Sequence, residues 1–202
     1  ARRITLEQGK PLGESMWEML AAADIFEWTG EEARRANGAV IPPRQGHVDQ
    51  IVMKEPIGPA ALFSPWNGPV FMAGRKIAEA IAAGCSCIIK PPEETPGAPL
   101  DMARALMDAG LPPGVLNVVY GVPAQVSTKV ITSPVIRKIS FTGSVEVGRV
   151  LGRLAGEHLK HGAVEGCAHA GAFVGDLGQQ QLGASGCEHR FEPVRQRQAR
   201  AG

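Results

Sequence analysis

The sequence has almost no excess charge of either sign. Its 202 residues carry 21 lysines and arginines against 20 aspartates and glutamates, which gives a net charge of +1. A charge this small produces no long-range field that would concentrate the chain on nucleic acid or on an anionic membrane. We therefore expect a small-molecule or protein partner, with no nucleic acid and no membrane among the partners.

Long apolar runs are also missing. No run approaches the roughly 20 residues that a membrane-spanning helix needs, and the N-terminal segment Ala1-Arg2-Arg3-Ile4-Thr5 lacks the basic-then-apolar order of a signal peptide. These absences predict a cytoplasmic location. With 44% hydrophobic residues, the chain suffices for one core followed by a tail and is too short for two ordinary domains with linkers.

Cysteine is scarce, with four in the whole chain. Cys85 and Cys87 lie two positions apart in an apolar run, and side chains at this spacing share one face of a strand. We expect them to be packed, reduced thiols rather than a disulfide.

The first residues of the chain have the pattern of the end of a helix rather than of its beginning. Residue 1 is alanine, and Ile4 to Gly9 have the pattern of the last turns of a helix that a glycine ends. We expect the sequence to begin in the middle of a larger fold.

The first part of the chain predicts a long helix and two strands. The apolar residues recur at the spacing of one face of a helix over 14–37, as one amphipathic helix or as two that are broken at Gly30; they are Met16, Leu20, Ala23, Phe26 and Ala33. Two short extended runs, 49–54 and 59–63, flank a proline- and glycine-containing turn at 55–58. We expect a short antiparallel strand pair here.

From residue 69 onward, helices alternate with short strands rich in valine and isoleucine. The predicted elements are helix 70–83, strand 86–89, helix 99–109, strand 115–119, helix 123–132, strand 136–141 and helix 145–156. This alternation indicates βαβ units and a parallel sheet covered on both faces. The predicted fold class is α/β, a partial doubly wound, Rossmann-like sheet within a domain that spans residues 1–160.

The character of the sequence changes after Lys160. Residues 161–202 are rich in glycine, glutamine and arginine and lose the apolar periodicity. Such a segment buries too little surface to offset its ordering entropy, so we predict a divergent, disordered or poorly packed tail.

Three loops at predicted strand ends carry groups suited to chemistry. The loop 63–69 delivers Asn67, whose side-chain amide can stabilise an oxyanion or cap the next helix. Strand 86–89 runs into Lys90 and Glu93, which can bind ribose hydroxyls or form a solvated charged loop. The turn at Gly143 starts a helix whose N–H groups suit a phosphate, with Ser144 as cap or ligand contact. Without a complete G-x-G-x-x-G, that turn alone is weak evidence.

Together these segments resemble the aldehyde dehydrogenase superfamily, truncated at both ends. The matching motifs are Glu7-Gln8-Gly9-Lys10-Pro11-Leu12, Glu55-Pro56-Ile57-Gly58, Pro65-Trp66-Asn67, Lys90-Pro91-Pro92-Glu93, 110–119 and Phe141-Thr142-Gly143-Ser144. They occur in the order and spacing of that family over about residues 2–160. The opening motif, with Phe26-Glu27-Trp28 and 31–35, is most similar to the succinate-semialdehyde dehydrogenases.

The resemblance implies an NAD(P)-dependent oxidation of an aldehyde to a carboxylic acid. Asn67 would stabilise the oxyanion, and Lys90 and Glu93 would bind the adenosine ribose. A carboxylate at the ribose 2′ position repels the phosphate of NADP, so NAD is favoured. The implied cofactor-binding residues are Ser64, Pro65, Trp66, Asn67, Lys90, Pro91, Glu93, Phe141, Thr142, Gly143 and Ser144.

The family pattern fails where its general base and nucleophile are expected. Glu165 stands at the position of the base, but Gly166-Cys167-Ala168 follows it instead of Leu-Gly-Gly. Cys187 lacks the apolar surroundings that would hold a thiolate of lowered pKa, so the sequence offers no convincing nucleophile. We expect the chain alone to be inactive, and a frameshift or degraded gene would explain the change after Lys160.

Two other interpretations remain open at this point. The chain can be a non-catalytic dinucleotide-binding fragment or a gene remnant. As a fragment it would leave apolar faces and edges uncovered, which a full-length homologue could cover by association. A minor alternative is a zinc site formed by Cys167, His169, Cys187 and His189, whose one-residue spacing within each pair is unlike that of zinc fingers.

Overall fold

A computed structural model describes residues 1–44, 46–166 and 187–193, with the backbone alone at 166 and 187–193. Helix α1 (Arg2–Gln8) ends at Gly9, whose left-handed backbone (φ 81°) turns the chain toward helix α2 (Leu12–Ala33). An L side chain is strained at that φ, which is why a glycine ends α1.

The long helix predicted over 14–37 is confirmed as one continuous helix, but it presents a different face to the core. Ser15, Glu18 and Ala22 are buried, while Met16 and Leu20 are more than half exposed. The buried face therefore includes polar side chains. Hydrophobicity alone assigned the wrong face because Ser15 and Glu18 are satisfied by hydrogen bonds.

An antiparallel sheet contains β1 (Ala39–Ile41), β2 (Gln50–Pro56) and β8 (Cys187–Pro193), in the order β1-β2-β8. The sequence predicted that 49–54 and 59–63 would pair with each other. The second of these runs is instead β3 (Ala60–Phe63), which lies in another sheet. The antiparallel partner of β2 at this end of the chain is β1, a strand that the sequence analysis missed because it is only three residues long.

The second sheet has five strands, all parallel, in the order β5-β4-β3-β6-β7. Its elements follow the chain as β3, α3 (Phe71–Ala82), β4 (Cys87–Lys90), α4 (Gly97–Asp108), β5 (Leu116–Val118), α5 (Pro123–Thr132), β6 (Lys138–Gly143), α6 (Val145–Glu157) and β7 (His161–Gly166). The predicted α/β class with a parallel sheet is confirmed.

Alternate residues of β3 face two separate layers of the core. Ala61 and Phe63 pack with residues of α5 and α6, whereas Ala60 and Leu62 pack with residues of α3 and α4. Every residue of β3 is buried, as expected for a central strand of a parallel sheet that has helices on both faces. This strand is the structural centre of the domain.

Regular structure continues beyond the predicted start of the tail. His161–Gly166 forms β7, which pairs in parallel with β6 along its whole length, and Cys187–Pro193 forms β8. An edge strand needs little apolarity of its own, because backbone hydrogen bonds to its neighbour hold it. The boundary at residue 160 therefore lies six residues too early for the sheet, and the rest of the tail prediction falls largely outside the described residues.

Cys85 and Cys87 are both free thiols and both buried, as the sequence predicted. Within the described part of the chain, no helix is long and apolar enough to cross a membrane.

Candidate functional site

The strand order places a topological switch point between β3 and β6. From β3 the chain moves outward through β4 and β5, then returns to the other side of β3 through β6 and β7. The loops after β3 and β6 consequently leave in opposite directions and open a crevice at the carboxyl ends of the strands. Phe63 pairs with both Lys90 and Phe141, so the three predicted loops meet at this one edge.

The loop after β3 presents two polar side chains that have no partner. Ser64 is buried with its Oγ unbonded, and Asn67 is partly buried with its Oδ1 unbonded. A buried polar atom without a hydrogen bond is costly, and such atoms in native structures commonly await a ligand or water. Trp66 is 54% exposed beside them.

The backbone of the same loop is held by residues from the first two helices and from the turn between them. Gln8 Nε2 donates to the carbonyl of Trp66 at 2.9 Å, and Lys10 Nζ donates to the carbonyl of Asn67 at 2.9 Å. Glu18 Oε1 accepts hydrogen bonds from the N–H groups of Val70 and Phe71 at 2.9 and 3.2 Å. The loop therefore combines a fixed backbone with unsatisfied side-chain atoms.

At the end of β4, Lys90 forms an ion pair with Glu93. The Nζ–Oε1 distance is 2.5 Å; the lysine side chain is 10% exposed and the glutamate side chain 43%. The Glu93 side chain is therefore open to solvent, whereas the Lys90 side chain that pairs with it is largely buried. Pro91 is fully buried and shapes the turn, and Thr95 is fully buried with its Oγ1 unbonded.

Tyr120, which the sequence analysis did not single out, lies near this edge. Its hydroxyl donates to the carbonyl of Pro96 at 2.5 Å. Burial, followed by the charges of Glu7 and Glu93, raises the pKa of Tyr120 to about 12, so the phenol stays protonated.

The turn after β6 is shaped by an aromatic ring. A Cβ added at Gly143 would lie 2.5 Å from the Cζ of Phe141, so only glycine fits there. Phe141 is buried in the core and supports the turn from beneath rather than reaching the crevice. Ser144 is exposed, and its Oγ caps α6 by accepting from the N–H of Val147 at 3.3 Å.

Thr142 and Glu165 are engaged with each other on the α3 side of the sheet. Thr142 is buried and donates to Glu165 Oε2 at 3.0 Å, and Arg75 contacts the same oxygen at 2.6 Å. Burial raises the pKa of Glu165, but the charges of Arg75 and Lys76 and the hydrogen bonds from Thr142 and Arg75 outweigh it, so the net pKa is lowered. A carboxylate of lowered pKa is a weak base.

The same layer holds further buried charge that the sequence analysis missed. Lys76 is 3% exposed and donates to Ser140 Oγ at 2.8 Å. The pKa of Glu79 is raised, first by burial, although Arg75 and Lys76 lower it. The available signal was two adjacent cations within an otherwise apolar helix, a pattern that is unusual for a buried face.

Two cavities lie away from the crevice. One, of about 500 Å³, separates α2 from α4, and the other, of about 300 Å³, lies beside Trp17, Gly68 and Phe71. The second borders the loop that carries Asn67, whereas the polar residues of the crevice line neither cavity.

The candidate metal and nucleophile residues are only partly described. Cys167 and His169 lie outside the described residues, as do the side chains of Cys187 and His189. Among the residues described, no three His, Cys, Asp or Glu side chains come together as a metal site would require. Burial, and then the neighbouring Cys85, raises the pKa of Cys87 to about 12, so this thiol is a poor nucleophile.

The fold defines an α/β domain with a Rossmann-like parallel sheet, and its β3–β6 switch point is the place where open sheets of this kind commonly bind ligands. A model of the aldehyde dehydrogenase family matches residues 1–180. The chain belongs to the aldehyde dehydrogenase family, and the match continues 20 residues past the segment 2–160 over which the motifs were recognised.

Among similar proteins, 4-(hydroxymethyl)benzenesulfonate dehydrogenase TsaD1 of Comamonas testosteroni is 50% identical over 174 residues, 86% of this chain and 36% of that protein. Succinate-semialdehyde dehydrogenase [NADP(+)] GabD of Escherichia coli is 44% identical over 165 residues, 82% of this chain and 34% of that protein. The chain thus spans about a third of the length of the curated relatives it matches.

Solved structures agree with this assignment. The crystal structure of succinate-semialdehyde dehydrogenase from Burkholderia pseudomallei matches with a TM-score of 0.78 and 43% identity, over 80% of this chain and 33% of that one. A crystal structure described as an E. coli NADP-dependent enzyme matches with a TM-score of 0.79 and 43% identity, over 80% and 34%.

Proposed function

We propose that this chain is the dinucleotide-binding part of a cytoplasmic enzyme that oxidises an aldehyde to a carboxylic acid with NAD. The observation that carries the proposal is the meeting of three polar loops at the switch point of the parallel sheet. The aldehydes named in the relatives, among them succinate semialdehyde, suggest an aldehyde that carries a second, anionic group.

The residues at this edge fit a dinucleotide. Ser64 Oγ, Asn67 Oδ1 and Thr95 Oγ1 are buried without partners, and Glu93 is exposed on a supporting lysine. Glu93 and Lys90 would hold the adenosine ribose. Trp66 and Ser144 would line the dinucleotide, with the start of α6 near its phosphates.

The α6 terminus is also the one that electrostatics favours for a phosphate. The N–H groups at the start of α3 and α4 already bind carboxylates, those of Glu18 and Glu7. The cap of α6 is the neutral Ser144. A phosphate that approached α3 or α4 would meet a carboxylate already bonded to the helix N–H groups, whereas at α6 it would meet a neutral cap and the positive end of the helix dipole, with Glu146 as the acidic residue of the first turn.

In the reaction, Asn67 would donate its side-chain NH₂ to the oxyanion that develops on the carbonyl oxygen of the aldehyde. A bound nicotinamide supplies the hydride acceptor. The residues that the structure describes would contribute orientation and electrostatics but no nucleophile, because Cys85 and Cys87 are buried and the pKa of Cys87 is raised. The lowered pKa of Glu165 likewise argues against its acting as the base that activates water.

We infer that the chain alone is inactive and binds dinucleotide without oxidising an aldehyde. Supplying the remaining groups would require association with a full-length homologue. A non-catalytic binding role is the second candidate, and the pairing of Glu165 with Arg75 favours it.

NAD is favoured over NADP because the Glu93 carboxylate would face the ribose 2′ position. Pairing with Lys90 neutralises part of this charge, so the preference is expected to be modest. Neither cofactor is fixed by family membership, since GabD carries NADP(+) in its name.

Isothermal titration of the folded chain with NAD and NADP tests the proposal, with circular dichroism establishing that each variant is folded. We expect saturable NAD binding that Lys90→Ala and Glu93→Gln each weaken roughly tenfold. Glu93→Gln should also reduce the preference for NAD. The matched control is Glu94→Gln, an exposed neighbour with the same charge, which should leave affinity unchanged. A folded chain that binds neither dinucleotide would overturn the proposal.

A further inference from the structure

Helix α3 has no capping residue of its own. Its N-cap is Val70, whose side chain cannot accept a hydrogen bond, so the first N–H groups of the helix need an acceptor from elsewhere. Glu18 supplies it from the middle of α2, 52 residues earlier in the chain, by accepting from Val70 and Phe71 through one carboxylate oxygen. Glu18 is 5% exposed, so this carboxylate has been withdrawn from water to serve the helix end.

The other oxygen of Glu18 continues the network to the loop. Lys10 Nζ lies 2.5 Å from Glu18 Oε2 and 2.9 Å from the carbonyl oxygen of Asn67. Next to it, Gln8 Nε2 holds the carbonyl of Trp66 at 2.9 Å. The backbone on both sides of the Asn67 side chain is therefore fixed from outside the sheet, by residues of α1, α2 and the turn between them.

We infer that Glu18 and Lys10 are positioning residues for Asn67, because they hold the Asn67 carbonyl and the start of α3 and leave the side-chain Oδ1 of Asn67 without a partner. The inference rests on the proposed function, which assigns the oxyanion contact to Asn67. A side chain that must meet a developing charge gains from being fixed before the ligand arrives, and here the fixing contacts all fall on the backbone.

The chain contains a matched comparison for this network. Glu7 of α1 caps α4 in the same manner, accepting from the N–H groups of Gly97 and Ala98 at 2.9 and 3.3 Å. Glu7 and Glu18 are thus both carboxylates that cap a distant helix, but only Glu18 is joined through Lys10 to the Asn67 loop. A comparison of Glu18→Gln with Glu7→Gln therefore distinguishes an effect on the Asn67 loop from the general effect of losing a helix cap.

Hydrogen exchange and side-chain amide spectra of the full ¹⁵N-labelled chain test the inference. In Glu18→Gln we expect roughly tenfold faster exchange at Val70 and Phe71, since a charge-assisted hydrogen bond is about twice as strong as a neutral one. Exchange at Ile77, farther along α3, should not change, and the Asn67 NH₂ signals should shift. In Glu7→Gln the faster exchange should move to Gly97 and Ala98 and leave the Asn67 signals in place.

Lys10→Met provides a second variant in case Glu18→Gln does not fold. It leaves the α3 cap in place, so Val70 should remain protected while the Asn67 signals shift, and Lys10→Arg should restore them. Uniformly faster exchange in Glu18→Gln, including Ile77, would overturn the inference, because Glu18 would then act only as a general stabiliser. Unshifted Asn67 signals in Lys10→Met would overturn it as well. A wild-type chain that binds no dinucleotide would instead overturn the proposed function, while the exchange pattern would still report on the loop.

Discussion

The carboxyl ends of β3 and β7 each deliver one residue to which the family resemblance assigns chemistry, and the two residues are held in opposite ways. Asn67, after β3, has its backbone bonded to Lys10 and its side-chain oxygen unbonded. Glu165, within β7, has its carboxylate bonded to both Arg75 and Thr142. The first side chain is available to a ligand, whereas the second is already used within the fold.

The difference shows how a side chain at a sheet edge can be assigned a role from its contacts. A group that acts on a ligand keeps hydrogen-bonding capacity in reserve and is fixed through its backbone. A group whose charge is compensated within the sheet contributes to stability, and its lowered pKa makes it a poorer proton acceptor. In this chain Asn67 matches the first case and Glu165 the second.

The largest expected effect that tests this comparison is the loss of stability in Glu165→Ala. The side chain of Arg75 is only 11% exposed and would be left without its carboxylate. Loss of a buried ionic contact is costly, but half of the Glu165 side chain is in water, so we expect the free energy of unfolding to fall by roughly 1–2 kcal/mol. Urea denaturation followed by circular dichroism measures it.

The control is Glu157→Ala, which breaks the ion pair with Arg153, whose side chain is 83% exposed. An exposed pair on a helix contributes about 0.3–0.5 kcal/mol, so this variant should be nearly as stable as the wild type. Equal stability of Glu165→Ala and Glu157→Ala would remove the distinction between the two strand ends.

A smaller effect is expected in the pH dependence of stability. The pKa of Glu165 is lower in the folded chain than its ordinary value of 4.5. Its contribution is therefore present above about pH 4.5 and is lost as the pH falls through the lowered value. Wild type should lose stability in this acid range more steeply than Glu165→Gln, measured by urea denaturation at several pH values.

Glu79, in the same layer, affects the pH dependence of stability in the opposite direction from Glu165. Its pKa is raised, first by burial, so ionisation works against the folded state as the pH rises through and above 4.5. Glu79→Gln should therefore steepen the net loss of stability in acid, whereas Glu165→Gln should reduce it. Identical pH profiles for both variants would show that the two carboxylates are not held differently.

The order of helices and parallel strands from residue 69 onward could be predicted because each element carries its own signal. α5 runs over Pro123–Thr132, the bounds that its proline and apolar spacing predict. Pairing could not be predicted for β3, since a four-residue run after a turn suits a hairpin as well as a central strand. What decides the outcome is burial on both faces, a property of the assembled sheet rather than of the run itself.

The sequence predicts which loops carry the candidate site, but it does not predict the contacts that hold these loops. Asn67, Lys90, Glu93 and Ser144 follow predicted strands, and parallel strand ends meet at one edge. The capping of α3 by Glu18 joins positions 52 residues apart and leaves no local pattern. The resemblance implies that Phe141 and Thr142 contact the cofactor, and the structure adds contacts that the linear sequence does not reveal: Phe141 packs beneath the turn and Thr142 donates to Glu165.

The smallest expected effect is on the stability of Asn67→Ala. The substitution removes an oxygen that has no partner and leaves the carbonyl that Lys10 holds, so the free energy of unfolding should change by less than about 0.5 kcal/mol. Urea denaturation beside Glu165→Ala makes the comparison direct. A loss above about 1.5 kcal/mol would mean that the Asn67 side chain is used by the fold after all. A free energy of unfolding that is nearly unchanged would mean that the asparagine side chain adds nothing to folding. Ligand contact would then be the reason for an amide at this position.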